Sequence, residues 1–256
     1  MNLSPRIIPV LLLHRQGVYK TNQFANPSYI GDPLNIVKIF NDKEVDELIL
    51  LDIDASAKGK DPDYKSLYEI TGEAFMPIAY GGGIHRLDQV EELFKTGIEK
   101  VILNSVLLNN LNIVEKLVAT YGSQSVVANI DYKTSFFRSR VYFYGGRQKS
   151  HFHPIEWAMK LVECGVGEIM LNAISREGTG LGYDLDMLKS ITQSVNVPVI
   201  ISGGAGVIKD FKLAYNNGAS GMAAGSFFVY KQPHRAVLIS YPDRSEIEKI
   251  IHDDSL

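Results

Sequence analysis

The chain has little of several features that would place it in a common class of protein. Cys164 is the only cysteine among 256 residues, which excludes an internal disulfide framework and a cysteine-based zinc cluster. No run of about 18 apolar residues occurs, and the first residues lack the pattern of a secretion signal. The net charge is only −3, whereas nucleic acid and anionic membranes attract proteins rich in Lys and Arg. We therefore expect a cytoplasmic protein that binds neither nucleic acid nor membrane.

Eight short runs rich in Val, Ile and Leu alternate with helical patterns along the chain. The predicted strands are Ile7–Leu13, Leu48–Ile53, Ile78–Tyr80, Val101–Leu103, Val126–Ile130, Ile169–Leu171, Val199–Ile201 and Gly221–Ala224. Amphipathic segments such as Asp88–Lys95 and Asn112–Tyr121 separate them. Strands apolar on both faces and separated by helices are typical of a parallel sheet covered by helices. This pattern predicts an α/β fold.

One half of the chain resembles the other. Met76–Ile84 and Val197–Ala205 have similar sequences at an offset of 121 residues, and the same offset pairs Glu47 with Glu168. A set of four βα units repeated once favours a closed (β/α)8 TIM barrel built from two similar half-barrels over an open doubly wound sheet. With 45% hydrophobic residues, we expect residues 1–256 to form a single barrel domain.

The two longest segments without a clear pattern follow the first and fifth strands. They are Lys20–Asp32 and Lys133–His153, and we expect both to be loops that cover the binding surface. Within the second, the alternating residues Val141–Tyr144 stand before Gly145 and Gly146. This arrangement predicts a small hairpin.

Each half has a pair of glycines directly after a strand, and the next strand of that half ends in small or polar residues. The pairs are Gly82 with Gly83 and Gly203 with Gly204, and the residues after the next strand are Asn104 with Ser105 and Gly225 with Ser226. Glycine lets backbone N–H groups approach an anion, and a following helix N-terminus adds positive potential. Tight turns alone are the alternative, but the repetition favours two phosphate cradles and a ligand with two phosphates.

Six motifs together resemble the HisF family, the cyclase subunit of imidazole glycerol phosphate synthase. They are Arg6–Ile8, Leu51–Ser56, Tyr80–Ile84, Ala128–Asp131, Arg176–Thr179 and Ser202–Gly206. The resemblance covers nearly the whole chain and implies a (β/α)8 barrel that takes ammonia from a HisH-like glutaminase in a heterodimer. In that family the ammonia serves to turn a bis-phosphorylated ribulosyl nucleotide into imidazole glycerol phosphate and an aminoimidazole carboxamide ribotide.

The resemblance also implies a pair of catalytic aspartates, at the ends of strands 1 and 5. Ring closure and C–N cleavage need one group that accepts a proton and another that donates one. Strand 5 keeps its aspartate as Asp131, but Leu12 stands where the first aspartate belongs. His14 is the nearest substitute in sequence, and a solvent-facing histidine is the alternative reading for it. The chain thus lacks one of the two carboxylates.

Further substrate contacts are implied by the resemblance, beyond the cradles and Asp131. They are Lys20, Asp52, Asn172, Glu177, Gly178 and Ser202. Asn172 replaces a threonine of the family, and Glu177 stands where the family has aspartate. For Lys20 the alternative is a solvated charge on a flexible loop. We expect no cofactor and no metal, because His151 and His153 have no third ligand at a usable spacing.

Four charged residues stand at the starts of predicted strands 1, 2, 4 and 6. They are Arg6, Glu47, Lys100 and Glu168. Strand starts crowd around the axis at the bottom face of a barrel, so these charges are expected to neutralise one another there. Ordinary stabilising charges are one interpretation. The resemblance implies the other, a gate through which ammonia enters from the glutaminase.

These features favour a HisF-like synthase subunit that receives ammonia through the barrel for amidation in nucleotide-sugar or surface-polysaccharide biosynthesis. A sugar amidotransferase, which converts an acetamido to an acetamidino group, would then be a further partner. The first alternative is an authentic cyclase subunit of histidine biosynthesis in which another acid replaces the missing carboxylate. The second is a non-catalytic scaffold that activates the glutaminase.

Overall fold

Eight parallel strands close into a barrel in the computed structural model, which describes residues 6–136, 138–231, 234–243 and 245–247. The strands are β1 Arg6–His14, β2 Gly17–Asn22, β3 Ala25–Gly31, β4 Leu48–Asp52, β5 Ile78–Gly81, β6 Lys100–Leu103, β7 Val126–Ser135, β8 Arg138–Phe143, β9 Gln148–Lys149, β10 Glu168–Ala173, β11 Val199–Ser202, β12 Gly221–Ala224, β13 Tyr230–Lys231 and β14 Ala236–Val237. Around the barrel the order is β1, β4, β5, β6, β7, β10, β11 and β12, which pairs again with β1. The predicted (β/α)8 barrel is confirmed.

Helices connect the barrel strands and cover the outside of the sheet. They are α1 Pro33–Asp42, α2 Ala55–Lys58, α3 Tyr64–Glu73, α4 Leu87–Lys95, α5 Asn112–Tyr121, α6 Pro154–Glu163, α7 Leu185–Thr192, α8 Ile208–Asn216 and α9 Ser226–Val229. Short 3-10 turns lie at Ser105–Leu108 and Ser123–Ser125. No helix within the described residues is long and apolar enough to span a lipid bilayer.

The apolar runs of the strands form two separate layers of core. Ile8, Val10 and Leu12 of β1 point into the barrel and pack with residues such as Ile49 and Met170. Their neighbours in sequence point outward and pack beneath the helices. Because successive side chains of a strand point to opposite faces, both faces must be apolar. This explains why the barrel strands show continuous apolar runs instead of alternation.

The segment after the first barrel strand is ordered, which corrects the expectation of an irregular loop over Lys20–Asp32. β1 turns back into β2 through Arg15 and Gln16, whose φ angles are 47° and 63°. β2 then pairs with β3. Two left-handed residues in a two-residue turn match the twist of the flanking strands. The hairpin therefore begins before Lys20 and stands above the barrel mouth.

The segment after the fifth barrel strand is also largely regular. β7 continues through Ser135 and pairs with β8, and β8 pairs with β9. The small hairpin predicted around Val141–Tyr144 is present, with a turn through Gly145 and Gly146. The expectation of a loop over all of Lys133–His153 was wrong, because the strand extends beyond the barrel rim.

The segment that follows β14 lies against the first strand through Tyr241. The Tyr241 hydroxyl donates a hydrogen bond to the Ile7 carbonyl at 2.9 Å, and its ring packs at a tilt against the Phe228 ring, with 5.4 Å between centroids. Burial raises the pKa of the Tyr241 phenol, so the hydroxyl remains a donor. This contact covers the seam where β12 pairs with β1.

Candidate active site

A cavity, here called the first pocket, opens at the carboxyl end of the barrel strands. Its walls combine apolar residues near the axis with polar groups at the strand ends. The polar and charged members are Thr21, Asp52, Ser56, Asn104, Ser105, Asn129, Asp131, Arg147, Asn172, Glu177 and Ser202. In a parallel barrel this end collects side chains from many strands, which is where such folds bind ligands.

Asp131 is held at the centre of this pocket by two amides. The Nδ2 groups of Asn129 and Asn172 each donate to its Oδ1 at 3.0 Å, whereas no described residue donates to Oδ2. Burial raises the pKa of Asp131 to about 6, and the charge of Glu177 adds to the rise, while the two amides oppose it. Asp131 can therefore exchange a proton near neutral pH through Oδ2.

Leu12 lies in the wall of the same pocket and is 8% exposed. It pairs with Leu51 of β4 in the barrel sheet. The wall on this side is apolar, since Val10 and Ile53 also line it. The structure therefore places no acid at the strand 1 position.

His14 does not face solvent, which corrects one reading of it. Its Nδ1 lies 3.0 Å from Oδ2 of Asp54, and its ring packs edge-on against Tyr19 at 4.7 Å between centroids. His14 is not part of the wall of the first pocket. The imidazole thus lies outside the place where the missing carboxylate would act.

Glu177 and Asp52 supply two more carboxylates to the first pocket. Burial raises the pKa of Glu177, and Lys20 partly opposes this rise. Burial also raises the pKa of Asp52. The backbone N–H groups of Asp54 and Ala55 donate hydrogen bonds to its Oδ1 at 2.8 and 3.0 Å, and these bonds partly oppose the rise. Of the two, Glu177 is the one whose charge acts on Asp131.

Lys20 is buried on β2 and is not a flexible, solvated lysine, so that reading was wrong. It is 2% exposed, and its Nζ has no hydrogen-bond partner among the described residues. Burial lowers its pKa, against the attraction of Glu177. A Cβ on Gly225 would lie 1.7 Å from this Nζ. Any larger residue at 225 would require the end of the Lys20 side chain to move.

The two glycine pairs occupy equivalent turns but contribute differently to the walls. Gly82 lines the first pocket, while Gly83 donates its N–H to the Ser56 hydroxyl at 3.0 Å. Gly203 and Gly204 line neither described pocket, because they pack against the loop after β10. Their neighbour Gly206 lines the wall in their place.

A second pocket lies beside the first, over the carboxyl-terminal half of the barrel. It is lined by Gly178, Thr179, Gly180, Ala205, Gly206, Ser226, Phe227, Tyr230, Lys231, Arg235 and Ser240. Two walls are shared with the first pocket: Glu177 and Gly225 face the first, and the next residues, Gly178 and Ser226, face the second. The predicted cradle residues are thus divided between two adjoining cavities.

Four charged residues form a closed ring at the opposite, amino end of the barrel. Arg6 binds Glu47 at 2.7 Å and also Glu168, while Lys100 binds the same two carboxylates at 3.4 and 3.2 Å. Burial opposes the charge on Arg6, but Glu168 and Glu47 outweigh it and raise the pKa of the guanidinium. The structure brings together all four residues that the sequence placed at this face.

No described residues form a group of three or more His, Cys, Asp or Glu side chains able to hold a metal ion. His153 instead caps α6, accepting the N–H of Ile155 on Nδ1 at 3.4 Å, and His151 is exposed.

Sequence reasoning did not identify several of the residues that line the pockets, among them one aromatic and three basic side chains. Phe24 and Arg147 come from the two hairpins above the first pocket, and Lys231 and Arg235 come from the segment after α9. The signal available for the last two was the presence of basic residues shortly after the Gly225–Ser226 turn. No comparable signal marked Phe24, since its position depends on the unpredicted hairpin.

The fold and site define a (β/α)8 barrel with a buried acid at its carboxyl end and a charged ring at its amino end. The family model described as "Histidine biosynthesis protein" matches residues 6–234. A putative imidazole glycerol phosphate synthase subunit hisF2 of Pseudomonas aeruginosa is 47% identical, covering 95% of this chain and 98% of that protein. The chain belongs to the histidine biosynthesis family and is HisF-like, as the motifs predicted.

Two other relatives extend this comparison. A putative imidazole glycerol phosphate synthase subunit HisF of Leptospira interrogans is 45% identical over 98% of this chain and 100% of that protein. The imidazole glycerol phosphate synthase subunit HisF of Alkaliphilus metalliredigens is 36% identical over 90% of this chain and 92% of that protein. These names fit the reading as a synthase subunit of histidine biosynthesis better than the reading in sugar amidation.

Proposed function

We propose that the chain is the ammonia-using subunit of an imidazole glycerol phosphate synthase and acts on a phosphorylated ligand in the first and second pockets. The observation that carries this proposal is Asp131, a buried acid with a pKa of about 6 and one oxygen free of hydrogen bonds from described residues. The relatives at 36 to 47% identity bear the name of this synthase.

Asp131 needs a second group to complete acid–base chemistry, since Leu12 cannot carry a proton. Glu177 is that group in this proposal. Both carboxyls line the first pocket, both have raised pKa values, and the charge of Glu177 acts on Asp131. Two coupled acids favour a state in which one is protonated and the other ionised. One can then accept a proton from the attacking nitrogen while the other donates to the leaving group.

The charged ring at the amino end serves as the entry for ammonia from a glutaminase partner. Its members are paired with one another across the axis and leave no single charge unbalanced. Opening therefore needs one pair to separate while the others keep their partners. Docking of a glutaminase on this face supplies the interaction energy for that change.

The test is ammonium-dependent turnover of the bis-phosphorylated ribulosyl nucleotide by the purified chain, followed by release of the carboxamide ribotide. Glu177→Gln is expected to lower turnover by about 10² to 10⁴-fold, the usual effect of losing a general acid or base. Asp42→Asn, an exposed change in α1, is the control. Turnover that is absent in the unmodified chain at every ammonium concentration would reject the cyclase function.

Leu12 favours a second candidate, in which the barrel delivers ammonia for amidation in nucleotide-sugar or surface-polysaccharide biosynthesis. A pocket with an apolar wall at that position suits a ligand that needs no proton transfer there. For this candidate the unmodified chain shows no turnover of the ribulosyl nucleotide yet stimulates a co-expressed glutaminase. Leu12→Asp should then gain cyclase activity, whereas Leu12→Asn, which has no carboxylate, should not. If Asp131→Asn also leaves the pathway output unchanged, the barrel is a scaffold.

A further inference from the structure

The segment after the fifth barrel strand has a strong local excess of positive charge. Residues 132–155 include no Asp or Glu, but they include five Lys or Arg residues: Lys133, Arg138, Arg140, Arg147 and Lys149. Without these five positive charges, the net charge of −3 for the whole chain becomes −8 for the remainder. An acidic protein thus carries one basic segment.

Four of these cations lie on one side of the ribbon formed by β7, β8 and β9. Residues paired across two strands, and residues two apart on one strand, point to the same side of a sheet. One side of the ribbon is buried through Tyr132, Val141 and Phe143. The other side, here called the basic face, has Lys133 opposite Arg140, Arg138 opposite Ser135, and Lys149 opposite Tyr142.

The cations of the basic face are not neutralised within the described part of the chain. None of the four forms an ion pair with a described residue. Lys133 lies over the Tyr142 ring at 5.1 Å from Nζ to the centroid, and Nη1 of Arg140 donates to the Ser139 carbonyl at 2.8 Å. Since Lys133 and Arg140 are directly opposite, their like charges destabilise the ribbon. An anion placed beside both would remove this repulsion.

The basic face begins beside the first pocket and extends away from it. Asp131 lines that pocket and pairs with Tyr142, which in turn pairs with Lys149. No cation of the basic face lines either described pocket. The ribbon ends at a turn through Phe136, whose side chain is 95% exposed. The basic face is therefore open to a macromolecule while a ligand occupies the barrel.

The spacing of the cations matches an extended polypeptide. Successive rows of the ribbon are about 6.7 Å apart, because each strand residue rises about 3.3 to 3.4 Å. Carboxylates at alternate residues of a second extended segment repeat at the same distance. Such a segment can place one carboxylate beside each row of the basic face.

Two observations favour a protein over single-stranded nucleic acid as the occupant. Nucleic acid needs aromatic rings on which its bases stack between the cations. Lys133 already covers Tyr142, and Phe136 lies in the turn beyond the rows of cations. The charge of −8 on the remainder of the chain also repels a long polyanion that extends beyond the ribbon.

We propose that the basic face is the docking surface for a partner protein that presents an extended acidic segment with carboxylates at alternate residues. The docked segment runs along the ribbon and holds its protein beside the mouth of the first pocket, at the end of the barrel opposite the charged ring. Docking does not depend on turnover in the barrel, so it is independent of the proposed function.

The test measures binding of a fluorescein-labelled octapeptide of alternating Glu and Thr to the full chain by fluorescence anisotropy. The matched octapeptide of alternating Gln and Thr has the same length and no carboxylates. The Glu octapeptide is expected to bind at least about tenfold more tightly at low ionic strength and to lose this advantage as salt is added. Amide shifts measured by NMR should change at Lys133, Arg138 and Arg140. Labelled octathymidylate tests nucleic acid in the same assay.

Variants of equal net charge distinguish the basic face from general attraction. Arg138→Gln combined with Arg140→Gln should weaken binding of the Glu octapeptide about five- to tenfold without lowering stability, because it removes the repulsion of Lys133. Lys65→Gln combined with Lys116→Gln removes the same charge from exposed sites on α3 and α5 and should leave binding unchanged. Equal binding of the two octapeptides, equal losses in the two double variants, or tighter binding of octathymidylate would overturn this inference.

Discussion

Gln89 and Asp210 perform the same role in the two halves of the barrel, 121 residues apart. Gln89 Oε1 accepts the N–H groups of His85 and Arg86 at 2.8 and 2.9 Å. Asp210 Oδ2 accepts those of Gly206 and Val207 at 2.8 and 3.0 Å. The first half uses a neutral amide and the second a carboxylate for one geometry. The two halves therefore share the hydrogen-bond geometry at this helix start, but the accepting side chain is neutral in the first half and acidic in the second.

The carboxyl end of the barrel differs far more between the halves. The strand that opens the first half presents Leu12, whereas the strand that opens the second half presents Asp131. Beside the second half lies a pocket with two cations from the β13–β14 hairpin, and no such hairpin follows the equivalent turn after Ser105. The comparison indicates that the framework under the helices resists change, while strand ends and added hairpins accept it.

The largest expected effect concerns Asp131, at whose counterpart strand end in the first half stands Leu12. Asp131→Asn keeps an oxygen for the amides of Asn129 and Asn172 but cannot ionise, so ammonium-dependent turnover should fall by about 10² to 10⁴-fold. The pH dependence of turnover by the unmodified chain should show an apparent pKa near 6. Steady-state kinetics from pH 5 to 8 check both points. Near-normal turnover by Asp131→Asn would contradict the assignment of Asp131 as the proton-transferring acid, and with it the chemical difference between the two halves.

A second prediction concerns glycine 206, whose equivalent in the first half is His85. A Cβ at 206 would lie 2.3 Å from the Gly180 carbonyl oxygen, so Gly206→Ala should lower the free energy of unfolding by about 2 to 4 kcal/mol. Urea denaturation measures this loss. His85→Ala adds no Cβ, and Gly72→Ala adds one with nothing within 4 Å of it, so both changes should cost much less.

The third prediction concerns stability and pH. The pKa of Asp131 is raised to about 6 in the folded state, so its acid form stabilises the fold at low pH and this contribution is lost as pH rises through about 6. Asp131→Asn should therefore be more stable than the unmodified chain at pH 8, by about 1 to 3 kcal/mol. The difference should shrink toward zero near pH 4. Urea denaturation at both pH values, with Asp42→Asn as control, tests the sign.

The smallest effects are expected where the halves agree most closely. Thr71 donates its hydroxyl to the Thr96 carbonyl, and Thr192 donates to the Asn217 carbonyl at 3.4 Å. Thr71→Val and Thr192→Val should each cost about 0.5 to 1.5 kcal/mol, with the larger loss at Thr71 because the Thr192 bond is long. A double variant should give the sum. Marked coupling would mean that the halves do not act as independent repeats.

Much of the barrel was predictable because its signals are local. Runs apolar on both faces gave all eight barrel strands, and the four charges at strand starts gave the ring at the amino end. The hairpin after β1 was not predictable, because its turns use Arg15 with Gln16 and Gln23 with Phe24 at positive φ. Glycine and asparagine usually occupy such turns, so the sequence carried no turn signal there.

The candidate site was predicted in part. The strand-end residues Asp131 and Asn172 meet as expected, because neighbouring parallel strands align their ends. The burial of Lys20 depends on the unpredicted hairpin and on the bare backbone of Gly225, a contact between segments distant in sequence. The electrostatic difference between the pockets was likewise not predictable, because it depends on Glu177 facing the first pocket and Gly178 facing the second.

That alternation of consecutive residues at the shared walls makes the ligand preference sensitive to backbone length. Glu177 with Gly178 and Gly225 with Ser226 each present one group to either side. A change of one residue in length would exchange the Glu177 carboxylate for the Gly178 backbone at the first turn, and the Gly225 backbone for the Ser226 hydroxyl at the second. Loop length at these two turns thus decides which groups each pocket presents to a ligand.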